Sequence, residues 1–562
     1  PTSSDAVLIA EDYSASLHGN LNVCSVTIAA GRKVTIEAAR YVIIQNNLTV
    51  NGTLDVLNRG SLVMVNDLGI VDGSGITNVE RTTTPFKRSD YVYWSTPVVS
   101  SLSAVYSSMP TTFAGWRLNR TYEYRPENFN DNSPVDGLDD EGNDWVSANQ
   151  MTPAKGYIVM VPDPGPTTAT VTFSGKVNNG VQAISGVVSD GSYLVGNPYP
   201  SAIDADRFIL TNAGTIDGTL SFWTHNTAIQ LASAITNGTA GSGIFAYTSD
   251  DYAYYNLTGG VATSTSANSD PSTTVIPQGK ISSTQGFFVK TNAGLATGSE
   301  IVFNNSMRLG TAGTVFDNSQ FFKMDNSKGN VIKTLEKHRV WLNLSNAEGA
   351  FKQTLVGYVS DATNDVDNLF DGVTLDANQF VDFYSVNQGK NLVIQGRKLP
   401  FDSADEVPLG FKTAIAGNFK IDIGYIDGLL VNQNVYLEDK MNNTIYDLKK
   451  GAYSFATEKG TFDDRFVLRY TDTSKAPIDE VITKGKGVIV SVKNRQIKIN
   501  SFDQKMAAVR VFDLKGSMIY EKSKVDTNEF VIDNLGSSNQ FLVVLIQLEN
   551  GKWVSEEIIF HD

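Results

Sequence analysis

Residues 21–65 read LNVCSVTIAAGRKVTIEAARYVIIQNNLTVNGTLDVLNRGSLVMV. Short runs of apolar and β-branched residues return every few positions in this stretch, and each run is about one short strand long. The corners between the runs carry glycine and asparagine, which tolerate a positive φ. Short strands that alternate with tight corners at this spacing predict a small β-solenoid, in which each rung buries its face against the next. A meander of hairpins is the alternative interpretation.

The composition of the whole chain extends this interpretation. Of its 562 residues, 41% are hydrophobic and only 19% are charged, and 47 are glycines. Such a balance is typical of a globular protein that is rich in strands and turns. The length exceeds what one hydrophobic core normally supports, so several domains are expected. We therefore predict an all-β, multidomain protein.

Charge and hydropathy narrow the set of partners. The net charge of −15 would repel phosphate backbones and anionic lipids, so no nucleic-acid partner is expected. The apolar run at residues 541–546 is far shorter than the roughly 20 residues that cross a bilayer as a helix, so the chain is not expected to span a membrane. Cys24 is the only cysteine, which leaves no internal disulfide. The opening Pro1-Thr2-Ser3 is typical of a processed or trimmed protein.

One block of signatures occurs twice between residues 85 and 310. In each block an aromatic strand leads to a turn with proline, and a long excursion then leads to a glycine-aromatic strand and a short closing strand. The first copy runs through residues 90–97, 153–159 and 171–174, and the second through residues 192–198, 283–289 and 301–304. This shared order predicts an internal duplication of a β-sandwich.

Alternating strands from about residue 333 onward predict a jelly-roll-like sandwich, and a polar stretch without apolar period predicts a linker after it. The predicted segments are a β-solenoid-like segment at 1–80, a first β-sandwich copy at 81–185, a second copy at 186–325, a jelly-roll-like β-sandwich at 326–472, a linker at 473–487 and a C-terminal domain at 488–562.

Seven strand-length runs follow the linker, and this number predicts an immunoglobulin-like sandwich. The turn chemistry agrees with the prediction. Asp513-Leu514-Lys515-Gly516 and Glu549-Asn550-Gly551-Lys552 place a glycine where a hairpin needs a positive φ.

The same domain resembles the C-terminal sorting domains of Type IX secretion cargo from the Bacteroidetes, over about residues 484–562. Val509-Arg510-Val511-Phe512-Asp513-Leu514-Lys515-Gly516 is similar to that family's Val-x-Val-Tyr/Phe-Asp-Leu-x-Gly, and the terminal hairpin is similar too. The resemblance implies a secreted or cell-surface protein that crosses the periplasm and passes an outer-membrane translocon. It also implies capture by an outer-membrane β-barrel shuttle, with an adhesive or gliding-motility role for the passenger.

The terminal hairpin offers backbone groups and apolar side chains that such a barrel could pair with, as in strand addition. The alternative is that the hairpin only closes the sandwich. The candidate sorting residues are Val511, Phe512, Asp513, Leu514, Gly516, Phe541, Val543, Leu545, Asn550, Gly551, Lys552, Trp553, Ile558 and Phe560.

Enzyme signatures are missing from the sequence. It contains no Gly-x-Ser-x-Gly elbow, no His-Glu-x-x-His and no phosphate loop, so no enzyme is expected. The four histidines, His18, His225, His338 and His561, are scattered singly, which argues against a zinc site. A glycoside hydrolase remains an alternative, because its paired carboxylates can be far apart in sequence.

No cofactor is expected, with one possible exception. An acidic loop supplies oxygen ligands of the kind that calcium takes. Its candidate ligands are Asp131, Asp136, Asp139, Asp140 and Asp144.

Aromatic residues could stack on sugar rings if they share an exposed face. A carbohydrate-binding module array is therefore the other alternative function. Its candidate residues are Trp94, Trp116, Tyr122, Tyr124, Trp145, Trp223, Tyr252, Tyr254 and Tyr255.

Overall fold

A computed structural model describes residues 1–83, 85, 90–99, 121–126, 144–148, 150–160, 168, 170–224, 230–231, 245–246, 251–263, 276–309, 335–374, 380–472, 488–493, 495–513, 515–533, 535 and 540–560. The predicted all-β fold class is confirmed, since strands dominate these ranges and the helices are short. Within these ranges no helix has the length and apolar character needed to span a membrane. The chain forms two compact units, Pro1–Thr471 and Asp472–Asp562.

The first unit begins with a three-sided solenoid. Its strands are β1 (Ala6–Ile9), β2 (Tyr13–Ser14), β3 (Leu21–Val23), β4 (Ser25–Ile28), β5 (Lys33–Ile36), β6 (Tyr41–Ile44), β7 (Leu48–Val50), β8 (Thr53–Val56), β9 (Ser61–Met64), β10 (Val71–Asp72) and β11 (Ile76–Thr82), with helix α1 at Ala15–His18. Strands stack in parallel as β1-β4-β7-β10, β2-β5-β8-β11 and β3-β6-β9. Hairpins would pair antiparallel, so the solenoid prediction is confirmed.

Strand β11 joins the solenoid to the next part of the chain. It lies parallel to β8 on one side and antiparallel to β17 (Thr170–Val177) on the other. One hydrophobic cluster consequently runs without interruption from Ile9 to Val177. The predicted boundary at residue 80 falls inside β11, and the finer division of residues 1–471 stays a prediction.

The central region is the part of the chain in which the sequence predicts two sandwich copies. Its strands are β12 (Tyr91–Trp94), β13 (Val98–Val99), β14 (Thr121–Tyr124), β15 (Trp145–Ser147), β16 (Tyr157–Met160), β17, β18 (Gln182–Ser185), β19 (Ser192–Gly196), β20 (Ile203–Asp204), β21 (Ile216–Trp223), β22 (Gln230–Leu231), β23 (Phe245–Ala246), β24 (Tyr252–Tyr255), β25 (Gly260–Val261), β26 (Lys280–Ile281), β27 (Gly286–Thr291) and β28 (Glu300–Phe303). Helix α2 (Ala205–Thr211) begins at Asp204, whose side chain accepts a hydrogen bond from the Arg207 amide. A 3₁₀ turn follows at Asn305–Met307.

The remaining part of the first unit is an eleven-stranded sheet that packs around its own hydrophobic core. Its strands are β29 (Lys337–Asn346), β30 (Phe351–Val359), β31 (Gly372–Val373), β32 (Val381–Asn387), β33 (Lys390–Lys398), β34 (Glu406–Thr413), β35 (Gly417–Ile426), β36 (Tyr436–Asp439), β37 (Thr444–Asp447), β38 (Tyr453–Thr457) and β39 (Gly460–Arg469), with 3₁₀ turns at Gly428–Val431 and Leu448–Lys450. The order is β37-β36-β39-β34-β32-β33-β30-β29-β35-β38, and β31 pairs with β33.

Buried Asp371 links this sheet to strand β21 through its main-chain carbonyl oxygen. Asp371 is only 5% exposed. Its side chain accepts hydrogen bonds of 2.8 Å from the amides of Gly396 and Asp367, and its carbonyl oxygen accepts one of 3.3 Å from the Thr219 hydroxyl. Burial is the main cause that raises the pKa of Asp371 to about 7, from an ordinary value of 3.8.

This raised pKa predicts that the first unit loses stability as the pH rises. The folded state holds the proton more tightly than the unfolded state, so the contribution of Asp371 is fully present below pH 3.8 and is lost as the pH approaches 7. The loss is at most about 1.4 kcal/mol per pH unit in that window. Because the side chain of Asp371→Asn does not ionise, the melting temperature of the wild type should fall relative to that of the variant between about pH 4 and pH 7. A melting-temperature difference that does not change with pH would contradict this assignment.

Candidate docking surface on the C-terminal domain

The second unit is a two-sheet sandwich. Its strands are β40 (Ile489–Lys493), β41 (Gln496–Asn500), β42 (Met506–Asp513), β43 (Met518–Thr527), β44 (Glu529–Ile532), β45 (Gln540–Leu548) and β46 (Trp553–Phe560). The sheets have the orders β40-β41-β44 and β43-β42-β45-β46, and their pairs are antiparallel. The seven strands match the number that the sequence predicts.

The pairing register decides which side chains of the terminal hairpin face the core. Leu542 lies opposite Ile558, and they are 1% and 8% exposed. One position earlier on β45, Phe541 lies opposite Ile559, and these side chains are 54% and 57% exposed. Because successive side chains on a strand point to opposite faces, the hairpin has an apolar buried face and a solvent face on which apolar side chains lie beside Gln547, Ser555 and Glu557.

We call the solvent side of this four-stranded sheet the outer face. Its apolar side chains are Phe512, Met518, Phe541, Val543, Leu545, Trp553 and Ile559, and the polar side chains Arg510, Ser555 and Glu557 lie among them. Phe512 lies directly between Met518 and Val543 in the sheet, so these three apolar side chains are neighbours. Met518, Phe541 and Ile559 are exposed, and exposed apolar area on a folded domain makes this face a candidate docking surface.

A charged pair lies on the outer face, because Arg510 is directly opposite Leu545 in the sheet and Glu521 is its other neighbour. The Arg510 Nε atom donates a hydrogen bond of 2.9 Å to the Glu521 carboxylate, and the guanidinium lies 5.0 Å from the ring centre of Trp553. An exposed ion pair of this kind adds little stability. Its effect is to hold the Trp553 ring in one orientation beside the outer face.

The two predicted turns have the chemistry that their sequences require. The Asp513 side chain accepts hydrogen bonds from the amides of Lys515 and Ser517, at 2.9 and 2.8 Å, and Gly516 has a φ of +81°. Leu514 lies outside the described residues.

At the other turn the Asn550 side chain accepts a hydrogen bond of 2.9 Å from the Lys552 amide, and Gly551 has a φ of +84°. Asp513, Gly516, Asn550 and Gly551 therefore shape the turns, and Lys552 is exposed beside them.

The candidate sorting residues thus separate into distinct groups. Val511, Ile558 and Phe560 are 0%, 8% and 1% exposed and point into the core. Phe512, Phe541, Val543, Leu545 and Trp553 belong to the outer face. Met518 and Ile559 also belong to it and were not selected from the sequence. Side chains on a strand alternate between the two faces of the sheet. Counting this alternation from Phe541 through the Asn550-Gly551 turn would have assigned Ile559 to the outer face.

The two edges of this sheet differ in charge. Edge strand β43 carries Glu521, Lys522, Lys524 and Asp526, and charged side chains discourage the addition of another strand. The other edge strand, β46, carries Glu556 and Glu557 and ends in the uncharged sequence Ile558-Ile559-Phe560. Strand addition therefore has its less protected edge at β46.

The proposed calcium ligands fall mostly outside the described residues. Asp131, Asp136, Asp139 and Asp140 lie in undescribed stretches, and Asp144 is buried, with its carbonyl oxygen accepting a hydrogen bond from the Arg125 amide. Among the residues that the structure describes, no group of three or more His, Cys, Asp or Glu side chains is placed to hold a metal ion. The calcium site stays a prediction.

The aromatic residues considered for sugar binding do not form an open platform. Tyr124, Trp145 and Phe288 meet edge to face, with ring centres 5.2 to 6.2 Å apart. Trp223 and Tyr252 meet at 5.1 Å in the same way. Trp94, Tyr254 and Tyr255 are buried, and Trp116 lies outside the described residues. This packing gives the carbohydrate-binding alternative no added support.

Two solved structures show a weak likeness to this chain. The chain is similar to the central fibronectin-III array of RIM-binding protein, at 9% identity and a TM-score of 0.11, over 42% of this chain and 90% of that one. It is also similar to Tp47, the 47-kilodalton lipoprotein of Treponema pallidum, at 11% identity and a TM-score of 0.12, over 63% and 88% of the two chains. At TM-scores this low, neither likeness bears on function.

Family models cover nearly the whole chain. No curated protein matches it. A model for a domain of unknown function, DUF8694, matches residues 477–560, which contain the C-terminal sandwich. A model for a second domain of unknown function, DUF8693, matches residues 1–470. Because this second match spans well over half of the chain, the protein belongs to the DUF8693 family.

Proposed function

We propose that this chain is surface cargo of a Type IX secretion system, exported by its C-terminal domain. In this proposal residues 472–562 are the sorting tag, and residues 1–471 are the passenger. The chain crosses the periplasm and reaches the outside of the outer membrane. There the passenger has an adhesive or gliding-motility role.

The outer face is the observation that carries the proposal. Phe541, Ile559 and Met518 are each more than half exposed, although they belong to well-paired strands of a compact unit. A domain that only closed its own sandwich would need no apolar side chains on its solvent face. Their presence there is explained if a partner covers them during export.

The geometry suggests how an outer-membrane β-barrel shuttle would recognise the tag. Apolar side chains of the outer face would be withdrawn from water against the shuttle, at roughly 25 cal/mol per Å² of buried apolar surface. The free edge of β46 would add main-chain hydrogen bonds to a strand or loop of the shuttle. Main-chain pairing requires shape and edge access but little sequence identity, which suits an apparatus that handles many cargoes.

Replacing the most exposed outer-face side chains should block export without unfolding the tag. In the variant Phe541→Thr/Ile559→Thr, threonine keeps the β-propensity while it removes apolar contact area. We expect the amount of protein on the cell surface to fall at least about tenfold, which corresponds to a loss of about 1.4 kcal/mol of docking free energy. Surface proteolysis and fractionation of a competent host measure this amount.

The matched control is Ile70→Thr, which changes a side chain of similar exposure, 61%, in the solenoid. It should leave export unchanged. Export of the double variant at the wild-type level, with the tag still folded, would refute the outer face as the docking surface.

Removing a core side chain should act in a different way. Phe560→Ala deletes a ring that is 1% exposed, and such changes typically cost about 3–5 kcal/mol. We expect purified protein to be cleaved by protease within residues 488–560 while residues 1–471 stay resistant. Ile559→Thr is the control next to it and should stay resistant throughout. Wild-type resistance of the Phe560→Ala domain would contradict the core assignment.

A further inference from the structure

The two sandwich copies connect their strands in the same order. We call residues 76–177 the first repeat and residues 182–303 the second repeat. The opening strand of each pairs with its closing strand, β11 with β17 and β18 with β28. Between them, four strands form antiparallel sheets in the corresponding orders β12-β16-β14-β15 and β19-β27-β21-β24. These four strands therefore follow the same order in both repeats, and the second sheet adds β25 at its edge.

An unusual backbone conformation also occurs at the same place in both repeats. Gly156 precedes β16, and Gly286 begins β27, the corresponding strand. Two residues before each glycine, Ala154 and Thr284 have φ values of +71° and +66°. Non-glycine residues rarely adopt this left-handed conformation. Its presence at equivalent positions indicates that both repeats use one and the same turn.

These turns make reciprocal hydrogen bonds between the repeats. The Ser95 amide donates to the Thr284 carbonyl oxygen over 2.7 Å, and the Gly196 amide donates to the Ala154 carbonyl oxygen over 2.8 Å. Ser95 and Gly196 are equivalent, because each lies two residues before the proline that follows the aromatic strand. Each repeat thus donates one hydrogen bond to the other from an equivalent amide, and accepts one at an equivalent carbonyl oxygen.

The residues next to these hydrogen bonds also pair reciprocally, through isolated β-bridges between the repeats. Trp94 pairs with Gln285, and Val195, the equivalent of Trp94, pairs with Lys155, the equivalent of Gln285. A surface on which residue i meets residue j and j meets i is isologous, as at the twofold axis of a homodimer.

Glycine is required at both contact points. A Cβ atom on Gly156 would lie 2.6 Å from the Leu194 side chain, and one on Gly286 would lie 2.9 Å from the Cβ of Tyr93. Tyr93 and Leu194 are equivalent residues of β12 and β19. Each repeat therefore keeps a glycine where the first sheet strand of the other repeat approaches.

An aromatic cluster fills the space between the two sheets. The hydroxyl groups of Tyr93 and Tyr252 are 2.7 Å apart, and the Tyr93 ring centre lies 6.1 Å from that of Trp223. From the second repeat, Phe288 contacts Tyr124 and Trp145 of the first. These contacts bury apolar area across the repeats, as a dimer interface does.

We infer that the two repeats form an intramolecular homodimer, in which one self-complementary surface is used twice about a pseudo-twofold axis. The partner that this surface fits is a second copy of the same module, which the chain supplies in cis. The aromatic cluster is then the interface core, and the two repeats open as one cooperative unit. This inference is independent of the export proposal.

Hydrogen exchange on the full-length chain tests the inference through paired variants. Gly156→Ala should accelerate amide exchange at least about tenfold in β19, across the interface, and Gly286→Ala should do the same in β12. Gly214→Ala is the control, because a Cβ there meets nothing within 4 Å and its φ is not positive. It should change exchange in neither strand.

The wild-type protein provides a second measurement that does not depend on the variants folding. In increasing denaturant, the amides of Ser95 and Gly196 should show one common free energy of opening. Two different opening energies, or variant effects confined to the mutated repeat, would overturn the inference.

Discussion

The pairing of Phe541 with Ile559, and of Leu542 with Ile558, sets what the C-terminal sheet presents to its two sides. A shift of one residue in this register would exchange the buried and the solvent faces. The Asn550-Gly551 turn fixes the register, and the pairing of β45 with β42 places Phe512 next to Val543. Core and outer face are therefore consequences of one hydrogen-bonded ladder. The proposed role of the tag depends on that ladder, because it keeps apolar side chains in water on a domain that is already folded.

A comparable use of strand pairing organises residues 1–471. Strand β11 completes the parallel stack of the solenoid and at the same time begins the antiparallel first repeat. The first repeat then meets the second through the reciprocal contacts of Ser95 and Gly196. In both places main-chain N–H and C=O groups at the edge of one substructure form hydrogen bonds with the next substructure. Fewer strand edges are then open to aggregation.

The sequence predicted features that depend on local pattern. Strand and corner spacing in residues 21–65 was enough to identify the solenoid, and Asn550-Gly551 was enough to place the terminal hairpin. Features that depend on distant pairing were not accessible in this way. Ile558 was selected and Ile559 was not, because neighbouring apolar residues look alike until a partner strand assigns their faces. The shared core of solenoid and first repeat likewise depends on β11 meeting β17, which lies far along the chain. The aromatic residues were compatible with a sugar-binding surface, because composition alone does not distinguish an exposed aromatic surface from a buried aromatic cluster between two sheets.

The central claim is that residues 472–562 are a detachable export tag read through the outer face and main-chain pairing. A reporter protein fused to these residues, expressed in a bacterium with a Type IX secretion system, tests it most directly. The account predicts that the reporter reaches the cell surface or the medium, where added protease removes it from intact cells. A folded fusion protein that stays in the periplasm would contradict the account.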